Sequence, residues 1–160
     1  MNRSAVTDNL GDAFALIGRI LIAYMFVPSG FGKLMGFAGT AGYIASKGVP
    51  FPEICAAIAV FAELGLGLAL LAGFQTKWAA LGLAIFVAVI TPIFHNYWAV
   101  PEAQVMMQKL NFTKNLAIVG GLLAYAAFGA GRFSIDGILR NRVRGADDEP
   151  ARGRAAYGTR

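Results

Sequence analysis

The stretch ICAAIAVFAELGLGLALLAGF, Ile54–Phe74, decides the fold of this chain. Every residue in it except Glu63 is apolar or small. A helix needs roughly 17–25 predominantly apolar residues to cross a bilayer, so this run is long enough. A carboxylate at membrane depth is costly and almost always has a partner. The stretch therefore predicts a membrane-spanning helix with a paired acid near its midpoint.

Three further apolar stretches have similar length, in a 160-residue chain that is 57% hydrophobic and only 14% charged. This composition is too apolar for an ordinary soluble domain of this size. We therefore predict an all-α, polytopic membrane four-helix bundle over residues 14–137, preceded by a polar N-terminal segment (1–13) and followed by a basic, disordered tail (138–160). The other predicted spans are Phe14–Met35, Trp78–Phe94 and Phe112–Ala130.

The basic residues near the span ends, with Arg19 inside the first span set aside, predict the orientation. Nine of them fall on the side of the two termini and four on the opposite side, which by the positive-inside rule places both termini in the cytoplasm. The net charge of +5 is then explained by topology and attraction to anionic lipid, not by nucleic-acid binding. The nine are Arg3, Lys77, Arg132, Arg140, Arg142, Arg144, Arg152, Arg154 and Arg160; the four are Lys33, Lys47, Lys109 and Lys114. The run from Phe14 is too long for a cleaved signal peptide and is interpreted as an uncleaved first span.

Glu63 has two kinds of candidate partner. Arg19, inside the first span, lies within side-chain reach in depth, so a structural Arg19–Glu63 ion pair is one prediction. Lys33, His95 and Lys114 all lie at the predicted outer boundary and come from three spans, which predicts a pocket for an anionic or quinone-like head group. The alternative is that Glu63 and Arg19 only fix helix register while the lysines extend to the interface. Pro28 and Pro92, in the outer halves of two spans, are consistent with kinks that open a cavity or with simple packing.

Several site classes are not expected. A single cysteine, Cys55, excludes an internal disulfide and a redox pair, and a single histidine makes a protein-only zinc or haem site improbable. No metal site and no resident cofactor is therefore predicted. Small-residue spacings such as Gly65-xxx-Ala69 favour close helix packing, with homo-oligomerisation as the second interpretation.

The order and spacing of several motifs resemble the DoxX family of bacterial four-helix membrane proteins. These motifs are FVPSGFGKLMGF (26–37), GVPFP (48–52), FAELGLGLALLAGF (61–74), FHNYW (94–98), KNLAIVGGLL (114–123) and GRFSIDG (131–137). The resemblance implies a multi-pass protein of the bacterial plasma membrane linked to redox chemistry, since relatives include subunits of thiosulfate:quinone oxidoreductase. The residues that match the motifs imply a pocket made of Lys33, Glu63, His95, Asn96, Lys114 and Asn115.

Three functions are consistent with these observations. The first is a membrane subunit of a quinone- or sulfur-linked redox system, which binds a quinone or small anion and works with a redox partner subunit. The second is a non-catalytic membrane scaffold for another membrane protein. The third, a small-solute transporter, requires oligomerisation. No electron carrier is visible in the sequence, so whether the chain is itself an enzyme stays open.

Overall fold

A computed structural model describes the backbone of residues 3–143 and the side-chain surroundings of residues 9–143. All regular structure in this part of the chain is helical. Helix α1 covers Arg3–Met35, α2 covers Phe37–Ser46, and α3 begins at Pro52 and continues through a π-helical turn into α4. The bounds of the remaining elements are α3 Pro52–Val60, the π turn Phe61–Leu66, α4 Gly67–Ala72, α5 Thr76–Phe94, a 3₁₀ turn Tyr97–Ala99 and α6 Glu102–Phe128.

Three helical stretches are long and apolar enough to cross a membrane, namely Asn9–Met35, Pro52–Ala72 and Thr76–Ala99. The first and third contain the predicted spans Phe14–Met35 and Trp78–Phe94, and the second overlaps the predicted span Ile54–Phe74 but ends at Ala72. The fourth predicted span lies within α6, which starts ten residues before Phe112 and carries Glu102 and Lys109 in its added turns. Within the part of the chain that the structure describes, α6 is not among the stretches that are long and apolar enough to cross a membrane.

The helices pack as two pairs joined by a small core. Helix α1 lies against α3, the π turn and α4, while α5 packs chiefly against α6 and also touches the π turn and α4. Alanines occupy many of the buried positions, including Ala56, Ala59, Ala80 and Ala84. Small side chains let helix backbones approach closely, which is how helices associate where lipid removes the hydrophobic driving force. The central cluster consists of Phe26, Leu70, Ala80, Leu83, Ala84, Val87 and Leu122.

Large apolar side chains cover the outside of the bundle, as expected for a lipid-facing surface. Leu21 and Phe61 are each 66% exposed, although both lie mid-way along spanning helices. A soluble monomer rarely carries apolar surface on this scale. The exposed face therefore supports the membrane assignment independently of hydropathy.

Two segments differ from the sequence-based expectation. The connection predicted between the first two spans contains helix α2, whose Ala41 and Ile44 form a second small core with Ala56. The tail predicted to start at residue 138 is helical as far as 143, as part of a helical segment covering residues 135–143. The rest of the predicted tail, 144–160, and the first residues of the N-terminal segment lie outside the described residues.

Candidate functional site

Glu63 lies inside the π turn and is only 6% exposed. Its Oε2 is 2.7 Å from Nζ of Lys33, and the same ammonium donates to Oγ of Ser29 at 2.7 Å. Ser29 and Lys33 are one helical turn apart on α1, so the hydroxyl and the ammonium lie on the same face of that helix. The ammonium contacts both Ser29 and Glu63. The acid at membrane depth is therefore paired, as predicted, but its partner is Lys33.

The predicted Arg19–Glu63 ion pair is wrong. Arg19 is completely buried, and its guanidinium donates to the carbonyl oxygens of Leu71 at 3.1 Å and Leu70 at 3.5 Å, and to that of Phe133. Leu70 lies seven residues after Glu63, about 10 Å further along the helix at ~1.5 Å per residue. Arg19 thus donates to carbonyls at the end of α4, where the helix dipole also favours a cation.

The contact between α1 and the π turn depends on Gly30. A Cβ placed on Gly30 would lie 2.5 Å from the backbone nitrogen of Leu64 and 2.9 Å from the carbonyl carbon of Glu63. The absent side chain therefore lets the two backbones touch one turn before Lys33. A π turn is rare and is often found at functional sites. Here it places Glu63 directly beside α1.

An apolar pocket of about 380 Å³ adjoins the Lys33–Glu63 pair. Lys33, Glu63 and His95 line it, together with residues from α2, α3 and α5. Pro92 lies between lining residues Ile90 and Ile93, inside helix α5. The other lining residues are Thr40, Tyr43, Ile44, Val49, Cys55, Ile58, Ala59, Phe86, Val89 and Phe94.

His95 has a polar partner that the sequence did not reveal. Its Nδ1 lies 2.9 Å from Oε1 of Gln108, on the first turns of α6. With that oxygen as the acceptor, Nδ1 carries the hydrogen and Nε2 is the remaining polar atom of the ring. Gln108 therefore fixes the ring that closes one end of the pocket.

The other three predicted residues do not line the pocket. Asn115 is buried and donates to Oγ1 of Thr91 at 3.0 Å, which ties α6 to α5. Lys114 is exposed and donates to Oδ1 of Asn111 on its own helix. Asn96 begins the short 3₁₀ turn, and its carbonyl accepts from the amide of Ala99. The family resemblance implied all three, and Lys114 was also predicted at the outer boundary from its depth, but depth alone does not decide which way a side chain faces.

Sequence reasoning missed the pocket residues on α2, chiefly Thr40 and Tyr43. The glycines and prolines of that region suggested a loop. The signal that was available is the apolar spacing of Ala41 and Ile44, three residues apart, which is typical of a helix face. Tyr43 also stacks on Phe94, with ring centroids 5.6 Å apart, so α2 and α5 enclose the pocket from two sides.

At the opposite end of the bundle, the segment Gly131–Gly137 closes the turn between α4 and α5. Asp136 accepts from the backbone amides of Gln75 at 2.8 Å and Thr76 at 2.9 Å, while its own amide donates to the carbonyl of Gly73. A carboxylate at a helix N-terminus satisfies free N–H groups and is favoured by the dipole. The motif GRFSIDG is therefore a structural cap in this protein.

Comparison with known sequences assigns the family. The sequence model of the DoxX family matches residues 14–96, just over half of the chain. The chain belongs to the DoxX family. This confirms the resemblance carried by the motifs. The matched region ends just after His95, so it includes every residue that lines the apolar pocket beside Lys33 and Glu63.

Curated relatives agree with the membrane assignment. The chain is 38% identical to inner membrane protein YqjF of Escherichia coli, over 83% of this chain and 97% of YqjF, and 37% identical to inner membrane protein YphA, over 76% and 86%. It is 31% identical to the yeast ER-derived vesicles protein ERV29, over 74% of this chain but only 31% of ERV29. No solved structure gives a significant match. This DoxX protein is a multi-pass protein of the bacterial inner membrane.

Proposed function

We propose that this DoxX protein is a membrane subunit of a quinone- or sulfur-linked redox system, and that its pocket binds the head group of a quinone. The observation that carries the proposal is an apolar pocket bordered by lipid-facing side chains with a paired ammonium at its inner wall. A volume of about 380 Å³ falls in the range of small-molecule sites, roughly 300–1,000 Å³.

The pocket wall favours a ligand that is dissolved in the bilayer. Three of its residues, Ile58, Val89 and Ile93, are among the exposed apolar side chains of the bundle. An opening bordered by such residues leads to lipid, where quinones are dissolved. A small hydrated anion such as thiosulfate would lose its water at this wall without gaining enough polar contacts.

The polar atoms of the pocket suit a carbonyl acceptor. Lys33 has three N–H donors, of which Ser29 and Glu63 use two, so one remains for a quinone oxygen. His95, which directly follows α5, supplies a second polar atom. A hydrogen bond from a charged group contributes roughly 1.5–3 kcal/mol net. The electrons that reduce the quinone would come from a partner subunit, because no electron carrier is visible in the sequence of this chain.

Pocket occupancy predicts a clear contrast between two residues of α5. Val89 and Ile85 are each 57% exposed and lie one turn apart, but only Val89 lines the pocket. We expect the side chain of Val89→Trp to fill the pocket and to weaken binding of a short-chain ubiquinone analogue by at least about tenfold. A tenfold change in affinity corresponds to roughly 1.4 kcal/mol of binding free energy. Ile85→Trp should bind like the parent protein.

The measurement uses full-length protein in nanodiscs. Cys55 lines the pocket, so binding can be followed as protection of its thiol from a maleimide while the analogue is titrated. Thiosulfate titrated in the same way is expected to give no protection. Equal affinities for Val89→Trp and Ile85→Trp, or no protection in the parent protein, would contradict the quinone site. A stable, ligand-free protein that another membrane protein needs for its abundance would instead support the scaffold function.

We also propose that α6 is a fourth span and that both termini lie in the cytoplasm. The apolar part of α6, Phe112–Phe128, is about 26 Å long at ~1.5 Å per residue, close to the hydrocarbon thickness. The surplus of basic residues on the terminal side supports the orientation.

The orientation can be tested by cysteine labelling. In a Cys55→Ser background, the cysteine of Gln104→Cys should react with a membrane-impermeant maleimide in spheroplasts. Reaction only after lysis would reverse the orientation.

A further inference from the structure

A second cavity lies at the end of the bundle opposite the quinone pocket, between the start of α5, the end of α6 and the helical segment 135–143. Its volume is about 250 Å³. Two basic side chains from different elements line it, Lys77 on α5 and Arg140 on the C-terminal helical segment. Neither forms a salt bridge with any partner among residues 9–143.

An unused hydroxyl lies at the same cavity. Thr76 lines it and is completely buried, yet its Oγ1 has no hydrogen-bond partner among the residues that the structure describes. A buried polar atom without a partner costs roughly 1–3 kcal/mol, so such atoms call for an explanation. The carboxylate of Asp136, also in the wall, is already bonded to the backbone amides of Gln75 and Thr76. Among the described residues, the unpaired charges of this cavity are therefore the two cations, beside the neutral amide of Gln75 and the hydroxyl of Thr76.

The rim of the cavity has interfacial character. Trp78 is 72% exposed and Phe128 is 88% exposed, and both line the opening. Exposed aromatic side chains of this kind mark the depth of the lipid head groups. The side chain of Lys77 lies beside Gly129, the residue after α6. A Cβ built on Gly129 would be 3.6 Å from Cε of Lys77. The cations are thus held at the head-group level.

We propose that this cavity binds the phosphate of an anionic phospholipid. The phosphodiester would accept from Lys77, Arg140 and the hydroxyl of Thr76, while Trp78 and Phe128 would flank the glycerol and the first acyl carbons. Guanidinium and ammonium groups are the usual phosphate ligands in proteins. The same chemistry fits a free phosphate ion, but the aromatic rim favours a phosphate that is attached to a lipid.

The test measures lipid binding to the full-length protein in detergent by native mass spectrometry, with phosphatidylglycerol and phosphatidylcholine as probes. Each variant Lys77→Gln and Arg140→Gln should weaken phosphatidylglycerol binding by about tenfold, the effect of losing one charge-assisted hydrogen bond. Arg142→Gln is the matched control, because Arg142 is exposed on the same helical segment but does not line the cavity. It should change the affinity less than about twofold, since lone exposed charges contribute little.

Thr76→Val separates binding from folding. Valine has the shape of threonine without the unpartnered hydroxyl, so the melting temperature without lipid should be unchanged or higher. The rise in melting temperature caused by phosphatidylglycerol should become smaller. Equal losses in Arg140→Gln and Arg142→Gln, or equal binding of the two lipids, would overturn the proposal. Stabilisation by inorganic phosphate that matches that by phosphatidylglycerol would overturn the lipid assignment and identify a soluble phosphate as the ligand.

Discussion

Arg19→Gln is expected to destabilise the folded protein by about 3 kcal/mol or more, because it removes the guanidinium that donates to the carbonyls of Leu71 and Phe133. Arg19 is completely buried and joins the end of α4 to the carbonyl of Phe133, so its removal also frees the segment that caps α5. Arg19→Lys should recover only part of the loss. The guanidinium of Arg19 donates to Leu71 through one NH₂ group and to Phe133 through the other, and the single ammonium of lysine cannot reproduce this arrangement.

The measurement is the free energy of unfolding in mixed micelles, from a denaturant titration followed by tryptophan fluorescence. Combining Arg19→Gln with Glu63→Gln should give additive losses within about 0.5 kcal/mol, since the two side chains share no partner. Combining Lys33→Gln with Glu63→Gln should instead recover a large part of the two single losses, because each single change leaves one charge of this half-buried pair without its partner. Stronger coupling of Glu63 to Arg19 than to Lys33 would contradict the pairing described above.

Gly30→Ala is expected to disrupt the contact between α1 and the π turn. The new methyl group would meet the backbone of Leu64 at 2.5 Å, and backbone cannot move aside as a flexible side chain can. Overpacking of a tight contact costs typically about 1–3 kcal/mol. Because Lys33 is one turn further along α1, the same displacement should pull its ammonium away from Glu63. Loss of quinone affinity should therefore accompany the loss of stability.

Gly32→Ala provides the matched control for that prediction. Gly32 is two residues away on the same helix, and a Cβ there meets nothing within 4 Å. Alanine is favoured over glycine inside a helix by roughly 0.5–1 kcal/mol, so this variant should be as stable as the parent or slightly more stable. Melting temperature and ubiquinone-analogue binding are measured for both variants. Similar behaviour of Gly30→Ala and Gly32→Ala would show that the helices do not touch at Gly30.

Much of the architecture was predictable because it depends on composition along the chain. The bilayer requires long apolar helices, and the length and composition of Ile54–Phe74 predict one without any tertiary information. The need of Glu63 for a buried partner was also predictable, since it follows from the cost of a charge at membrane depth. Of the six pocket residues that the family resemblance implied, Lys33, Glu63 and His95 line one pocket.

The remaining site residues were not predictable from depth. Helical rise fixes how deep a residue lies, but the direction of its side chain depends on how each helix is rotated against its neighbours. Lys114 and Asn115 are adjacent in sequence, yet one is exposed and the other is buried against Thr91. Helix α2 and its contribution to the pocket were missed because its glycines resemble those of a loop.

The sequence by itself determined the membrane class, the DoxX family and the set of charged residues that must be satisfied inside the bundle. Only the tertiary structure decided how those charges are shared. Arg19 and Lys33 lie on one helix and both were within reach of α3–α4, but the close approach at Gly30 brings Lys33 to Glu63. Arg19 meets the helix end instead, where unpaired carbonyls accept from its guanidinium. The physical reason is that a pairing depends on helix contact and rotation, which spacing along the chain does not encode.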